Sequence, residues 1–303
     1  MGDLDRREEA FRRLESRIFS RALGQPGKVT SLILSVPMTN LQNLTLQHAA
    51  EEYLQRSFGG MTFQILQNSP AINYSRVTPN GMVVPKRDSA LEYNLLVLEF
   101  AKLIDSFGFA DLIHSWHVPL NVRVKFGEVT PGNLERAHPT EYPHSDSWAG
   151  ESAESVTVHI PLFGDFERNY LAMYQPPKTF EEAWLGPRTT YKEGADSCVD
   201  QYEKIQYVPK CGEVLLMDFS TLHASYREPG ASARISIDTT FVLRKLSSTK
   251  EIIHPWRLGE RAAHSTLLGL GSTHFLSFPD APEDRVDSVA FQHPTRMMIK
   301  ELR

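Results

Sequence analysis

From about residue 115 to residue 245 the chain is a succession of short apolar or alternating runs. Each is closed by Gly, Pro, Asn or Asp, and no helical period separates them. The strand candidates are 122–126, 155–161, 171–174, 203–208, 213–218 and 234–243. Parallel strands need crossovers of about a dozen residues or more, usually helices, and the sequence writes none between these runs. An antiparallel sandwich or barrel is the architecture left open to this half of the chain. Residues 176–200 are rich in Pro, Gly and charge, which predicts a long surface loop inserted between strands.

The first 115 residues differ. Leu4, Phe11, Leu14, Ile18 and Leu23 recur at helical spacing, predicting a helix over 4–23 that Gly24 and Pro26 end. A second helix is expected over 44–58, capped by Asn43 and stopped at Gly59-Gly60. A third, over 90–107, is expected to be capped by Asp88 and to offer Leu91, Leu95, Leu98, Ala101, Leu103 and Ile104 to a core. Residues 31–36, 61–66 and 81–84 read as strands, and the tail after Ser247 reads as irregular. The expected organisation is one domain over 1–303. Its parts are a largely helical outer layer with first strands (1–115), a β core (116–246) and an irregular C-terminal extension (247–303).

Composition narrows the function classes. Hydrophobic residues are 41% and charged residues 23%, so 303 residues suffice for a buried core without staples. The net charge of -5 argues against nonspecific binding to nucleic acid or an anionic membrane. Cys198 and Cys211 have no Cys-x-x-Cys spacing, which predicts free thiols and no structural zinc. The apolar stretch 95–104 carries Glu99 and Lys102 and is too short to span a bilayer. The opening residues lack an apolar signal core, and Arg6 stands where a myristoylation signal wants Ser or Thr. A soluble, cytoplasmic protein is the expectation.

Three features in the β half carry chemistry. His144-Ser145-Asp146 is the first, His223 lies 77 positions beyond Asp146, and Arg234-Ile235-Ser236 begins 11 positions after His223. Two imidazoles and one carboxylate make the facial triad of non-heme iron sites, which leaves three coordination positions open. On an extended segment residues i and i+2 point the same way, so His144 and Asp146 can reach one ion with Ser145 facing away. Arg234 can fork onto a carboxylate, and Ser236, two residues on along the same face, can add a hydroxyl.

With these residues the chain resembles the Fe(II)/2-oxoglutarate-dependent oxygenases, whose pattern is His-x-Asp, a distal His, then Arg, often as Arg-x-Ser. The resemblance covers roughly residues 120–245. It implies a double-stranded β-helix, or jelly roll, mainly β with flanking helices. It implies Fe(II) held by His144, Asp146 and His223, and 2-oxoglutarate held by Arg234 and Ser236. It also implies consumption of dioxygen to oxidise a C–H bond of a small molecule, by hydroxylation, desaturation or ring closure. Because Asp146 is neither Gly nor Ala, halogenation is disfavoured. Trp148-Ala149-Gly150, His159-Ile160-Pro161 and the Pro-rich insert resemble the phytanoyl-type and natural-product branch.

Other readings stay open. A cupin-type jelly roll that binds metal or sugar without 2-oxoglutarate is one, and a protein hydroxylase is another. His159 reads either as a hydrogen-bonding neighbour of the site or as strand packing. Arg123 and Lys125, alternating with Val122, Val124 and Phe126, are either a solvated face or a carboxylate holder inside the barrel. Arg168, Arg188 and Lys192 are a plain charged loop or a lid over an anionic substrate. Tyr174, Trp184 and Tyr191 are loop packing or aromatic walls. His138 is expected near the site mouth. His114 and His117 are expected to be structural, and His254, His264, His274 and His293 surface residues.

Overall fold

A computed structural model describes residues 2–20, 27–60, 76–129, 134–244, 260–278 and 297–302. The expected strand over 61–66, the helix stop at Gly24 and Pro26, and His254 and His293 lie outside the described residues.

Helix α1 (Asp3–Phe19) buries Arg7, Phe11, Leu14 and Ile18, one stripe at three- and four-residue spacing. A hairpin follows, β1 (Gly27–Thr30) and β2 (Ile33–Pro37). Helix α2 (Asn40–Ser57) is capped by Thr39, not by Asn43. The Thr39 hydroxyl accepts from Gln42 N at 3.2 Å and Gln42 Oε1 accepts from Thr39 N at 2.8 Å, a capping box. Asp88 is likewise not the cap of α3 (Ala90–Ser106). A 3-10 turn over Arg87–Ser89 leads into that helix, and the Asp88 carboxylate pairs with Arg76. Leu91 and Leu95, expected in the core, are exposed; Tyr93, Leu96, Val97 and Phe100 are buried in their place. Of the expected strand over 81–84 only two isolated bridges form, Val77 to Val83 and Met82 to Arg123.

The β half begins with β3 (Ile113–Val118) and β4 (Asn121–Lys125), then β5 (Ser155–Gly164) and β6 (Asn169–Gln175). After the insert come β7 (Glu203–Lys204), β8 (Glu213–Asp218), β9 (Leu222–Arg227) and β10 (Arg234–Leu243). The insert is not the surface loop its composition suggests. It folds into a 3-10 turn over Glu182–Leu185 and helix α4 (Tyr191–Cys198), and it buries Phe180, Leu185, Tyr191 and Cys198 around Trp148. Short elements close the described chain: β11 (Glu260–Ala262), α5 (His264–Leu268), β12 (His274–Ser277) and β13 (Met298–Glu301).

One sheet runs β1-β2-β8-β5-β10-β3-β11, with β4 also paired to β10, and a second runs β7-β6-β9. His144 extends the second sheet by bridging to His223 on β9. All the pairings among these strands are antiparallel. Along the chain, β4, β5, β8 and β10 lie in the large sheet, while the 144 segment, β6 and β9 lie in the small one. That alternation between two facing sheets is the winding of a jelly roll.

The two faces of the large sheet have different chemistry. Val122, Val124, Val156, Val158, Ile160, Val214, Leu216, Ile235 and Ile237 share one apolar core with Phe11, Tyr53 and Phe100 of the helices. On the inner face, Leu215 and Met217 of β8 pack with Leu171 and Met173 of β6 and with Ile33. The rest of the inner face is polar, and it surrounds a cavity.

Helix α1 also secures the hairpin that carries His223. Arg7 Nη1 donates to both Asp218 carboxylate oxygens at 2.9 and 3.1 Å, and Nη2 donates to Ala153 O at 2.8 Å. Asp218 Oδ1 accepts from Ser220 N and from its hydroxyl at 2.8 and 2.6 Å, which sets the turn into β9. Among the described residues no helix is long and apolar enough to cross a membrane.

Candidate metal centre and cavity

His144, Asp146 and His223 offer one ligand atom each, and those atoms all lie within 4.8 Å of one another. His144 Nε2 is 3.6 Å and His223 Nε2 is 3.8 Å from Asp146 Oδ1. Backbone pairing sets this up, because His144 N donates to His223 O at 3.0 Å and His223 N donates to His144 O at 2.9 Å. Asp146 opens a 3-10 turn just after the bridge, and that turn swings its carboxylate alongside the imidazoles. Ser145 faces away and donates its hydroxyl to Phe219 O at 2.8 Å.

The protonation pattern suits a cation. His144 Nδ1 donates to Tyr142 O at 2.7 Å, which leaves Nε2 with its lone pair; that Nε2 is buried and has no hydrogen-bond partner. Burial, with His144 adding to it, pulls His223 down to about 4 against the opposing pull of Asp146 and Asp238, so its ring is neutral at pH 7. Burial would raise the Asp146 carboxyl, but the two imidazoles and Arg123 outweigh it and hold it well below the usual range. A charged carboxylate beside two imidazole nitrogens is the donor set a divalent transition metal takes.

The triad opens into a cavity of about 620 Å³. Arg234 and Asp238 of β10 reach it, as do Arg123 and Lys125 of β4. The inward face is therefore not solvated: Lys125 and Arg234 are 2% and 1% exposed. Arg234 Nη1 donates to Ser236 Oγ at 2.8 Å, and Arg234 Nε is buried without a partner. Burial pulls Arg234 down to about 10, still charged at neutral pH. Ser236 does not line the cavity; it sits behind Arg234 and reaches Asp238 Oδ2 at 3.4 Å. Lys125 reaches Thr140, with the Glu141 carboxylate 3.7 Å away, and burial pushes its pKa well below the ordinary lysine range.

Asp238 is not marked by any of the sequence motifs. His159 Nδ1 bonds it, and Arg123 Nε approaches its Oδ2 at 2.9 Å. His159 is thus a hydrogen-bonding neighbour of the site, fully buried, and its Nε2 has no partner. The signal for Asp238 is alternation alone, since it continues the inward face of Arg234 and Ser236 along β10. His117 also lines the cavity, and its Nδ1 pairs with Glu151 at 2.7 Å. His264 is not a surface residue: it is buried, and its Nδ1 accepts from Trp116 Nε1 at 3.2 Å.

The insert closes one wall. Tyr191 stacks on His144 with ring centroids 4.0 Å apart. Burial, then the Asp146 charge, pushes this phenol well above its ordinary pKa. Tyr191 is therefore a wall of the site as well as part of the insert's packing, whereas Tyr174 and Trp184 only pack with Phe180 and Tyr202. His138 lines the cavity beside Tyr191, at 4.8 Å between rings, where the mouth was expected. Arg188 lines it too; Arg168 instead pairs with Asp165 at 2.8 Å, and Lys192 is exposed and outside the lining.

No family model matches the chain, and no curated protein matches it. Among solved structures, the carbocyclase SnoK from nogalamycin biosynthesis is similar at 15% identity and a TM-score of 0.44, over 78% of this chain and 85% of that one. The epimerase SnoN from nogalamycin biosynthesis is similar at 15% identity and a TM-score of 0.42, over 80% and 88%. AviO1 from Streptomyces viridochromogenes Tue57 is similar at 16% identity and a TM-score of 0.42, over 80% and 98%.

Proposed function

We propose that this chain is an Fe(II)- and 2-oxoglutarate-dependent oxygenase that oxidises a C–H bond of a small polar molecule. One observation carries the reading. A buried, unpartnered imidazole nitrogen on His144 converges with Asp146 and His223 on one point of a cavity, and a buried guanidinium, Arg234, reaches that same cavity. When bound, ferrous iron with 2-oxoglutarate and dioxygen supplies an oxidant for an unactivated C–H bond. His144, Asp146 and His223 would hold the metal. Arg234, held in place by Ser236, would receive the distal carboxylate of the keto acid.

The protein's own groups shape the rest. Tyr142 O fixes the His144 tautomer, and Tyr191 covers the ring, so the lone pair stays aimed at the cavity. All the lining residues except Ala149, Leu171 and Pro187 carry polar groups, so a substrate's hydrogen-bonding groups find partners there, although carbon atoms make up more of the exposed wall.

An anaerobic titration with Fe(II) and then 2-oxoglutarate tests the reading. Bidentate chelation is expected to give a weak visible charge-transfer band in the wild type and none in His223→Ala. Arg234→Gln removes hydrogen bonds to a charged group, so 2-oxoglutarate affinity should fall roughly 10- to 100-fold. Iron binding without a band in the wild type would overturn the 2-oxoglutarate assignment.

A further inference from the structure

Several of the charges around the cavity pair off. Arg123 faces Asp238, Lys125 faces Glu141, and Glu151 has His117 and Arg261. Asp146 belongs to the triad, and Arg234 is the guanidinium assigned above to the keto acid. Arg136 and Arg188 remain. Among the described residues neither has an ion-pair partner, although both line the cavity and both have a buried Nε without a hydrogen-bond partner. Arg136 Nη1 donates to Asn80 Oδ1 at 2.7 Å, a neutral acceptor that orients the guanidinium without offsetting its charge. Burial lowers the Arg136 pKa, so the site holds this cation at a cost.

The two arginines come from segments that are tied together. Tyr191 N donates to Ala137 O at 2.9 Å, so residues 136–138 and 188–191 run side by side along one wall. Arg188 N donates to Trp148 O at 2.9 Å, which fixes that segment to the turn after Asp146. Thr189 and His138 line the same wall, and His138 Nε2 is another buried nitrogen without a partner. Two guanidiniums with unused donors on one wall form a recognition surface for an oxyanion.

We infer that Arg136 and Arg188 form a substrate subsite for an oxyanion group, phosphate or carboxylate, so that the substrate is an anionic polar molecule. This rests on the cavity being the substrate site of the oxygenase proposed above. The anionic group would be held on the Tyr191 wall, apart from Arg234 on β10, so substrate and keto acid do not compete for one cation.

The test uses the full chain with Mn(II) and saturating 2-oxoglutarate under argon, which keeps Arg234 occupied. Sulfate, as a tetrahedral dianion, and acetate, as a carboxylate, are titrated by calorimetry against sodium chloride at matched ionic strength. Saturable binding of at least one anion is expected, with affinity at least tenfold lower in both Arg136→Gln and Arg188→Gln. The Arg→Lys variants should keep part of it, and Arg168→Gln, on the outer surface, should bind as the wild type does. Circular dichroism and the anion-free melting temperature confirm that each variant is folded. A preference for sulfate points to a phosphorylated substrate, and a preference for acetate to a carboxylic acid. Absence of wild-type binding by either anion, or binding unchanged in both Gln variants, overturns the subsite. Should 2-oxoglutarate itself fail to bind metal-loaded protein while sulfate still depends on Arg136 and Arg188, the oxygenase reading falls and the anion subsite stands.

Discussion

Tyr191 covers one of the triad residues, stacking on the His144 ring. Groups that orient metal ligands in this way are worth about 10- to 100-fold in metal affinity or activity. Tyr191→Ala removes the ring that covers His144, so a loss near the lower end, about tenfold, is expected in a Co(II) titration. An unchanged affinity would show that the ring does not hold His144 in its ligating orientation. His144, Asp146, His223 and Arg234 could be picked from the sequence because their order and spacing are distinctive. Tyr191, Arg136 and Asp238 could not be picked on that basis. Each is a common residue type, and what puts it at the site is a strand register or a loop path that no local spacing records.

The structure at the scale of elements follows how strongly each segment is patterned. The strands over 213–218 and 234–243 have the boundaries that their apolar runs suggest, because β-branched and aliphatic residues dominate them. Strand β9, Leu-His-Ala-Ser-Tyr-Arg, has no such run, and long-range pairing with β6 makes it a strand. Helix α4 has little apolar period, yet the sequence holds a start signal for it in Thr190-x-x-Glu193. Thr190 Oγ1 accepts from Glu193 N at 3.0 Å, and Glu193 Oε2 accepts from Thr189 N at 3.1 Å. Gly194 lies in this helix directly over Trp148, and an added Cβ would stand 2.3 Å from the indole. Helix propensity alone favours Gly194→Ala by about 1 kcal/mol. The indole cannot yield easily: it is buried, and its Nε1 donates to Trp184 O at 2.8 Å. Overpacking of about 1–3 kcal/mol should outweigh the propensity gain. Gly194→Ala should therefore lower the urea midpoint and also weaken Co(II) binding, because α4 carries Tyr191. A more stable variant with unchanged metal affinity would show that the contact with Trp148 is soft.

Seen whole, the molecule places its apolar packing and its chemistry on opposite faces of one sheet. The outer face of the large sheet joins the helices in a continuous apolar core, and the inner face carries Arg123, Lys125, His159, Arg234 and Asp238. This division was legible in outline, since alternation along β4 and β10 separates the two sets of residues. Which inner residues meet was not legible, because that depends on register across four strands. The inner face carries a cost. His144 Nε2, His159 Nε2 and Arg234 Nε are buried without partners, and such groups cost about 1–3 kcal/mol each. A ligand that satisfies them binds the folded chain alone, so it raises stability by about 2.7 kcal/mol at a hundredfold excess over its Kd. For a chain of this length that is a rise in Tm of roughly 5 °C. Mn(II) with 2-oxoglutarate should produce a rise of that order, Mn(II) alone a smaller one, and a chelator should reverse both. His144→Ala should abolish the metal-dependent part while 2-oxoglutarate without metal leaves Tm nearly unchanged. Equal stabilisation by 2-oxoglutarate with and without Mn(II) would instead place the keto acid on the cationic wall alone, uncoupled from the triad.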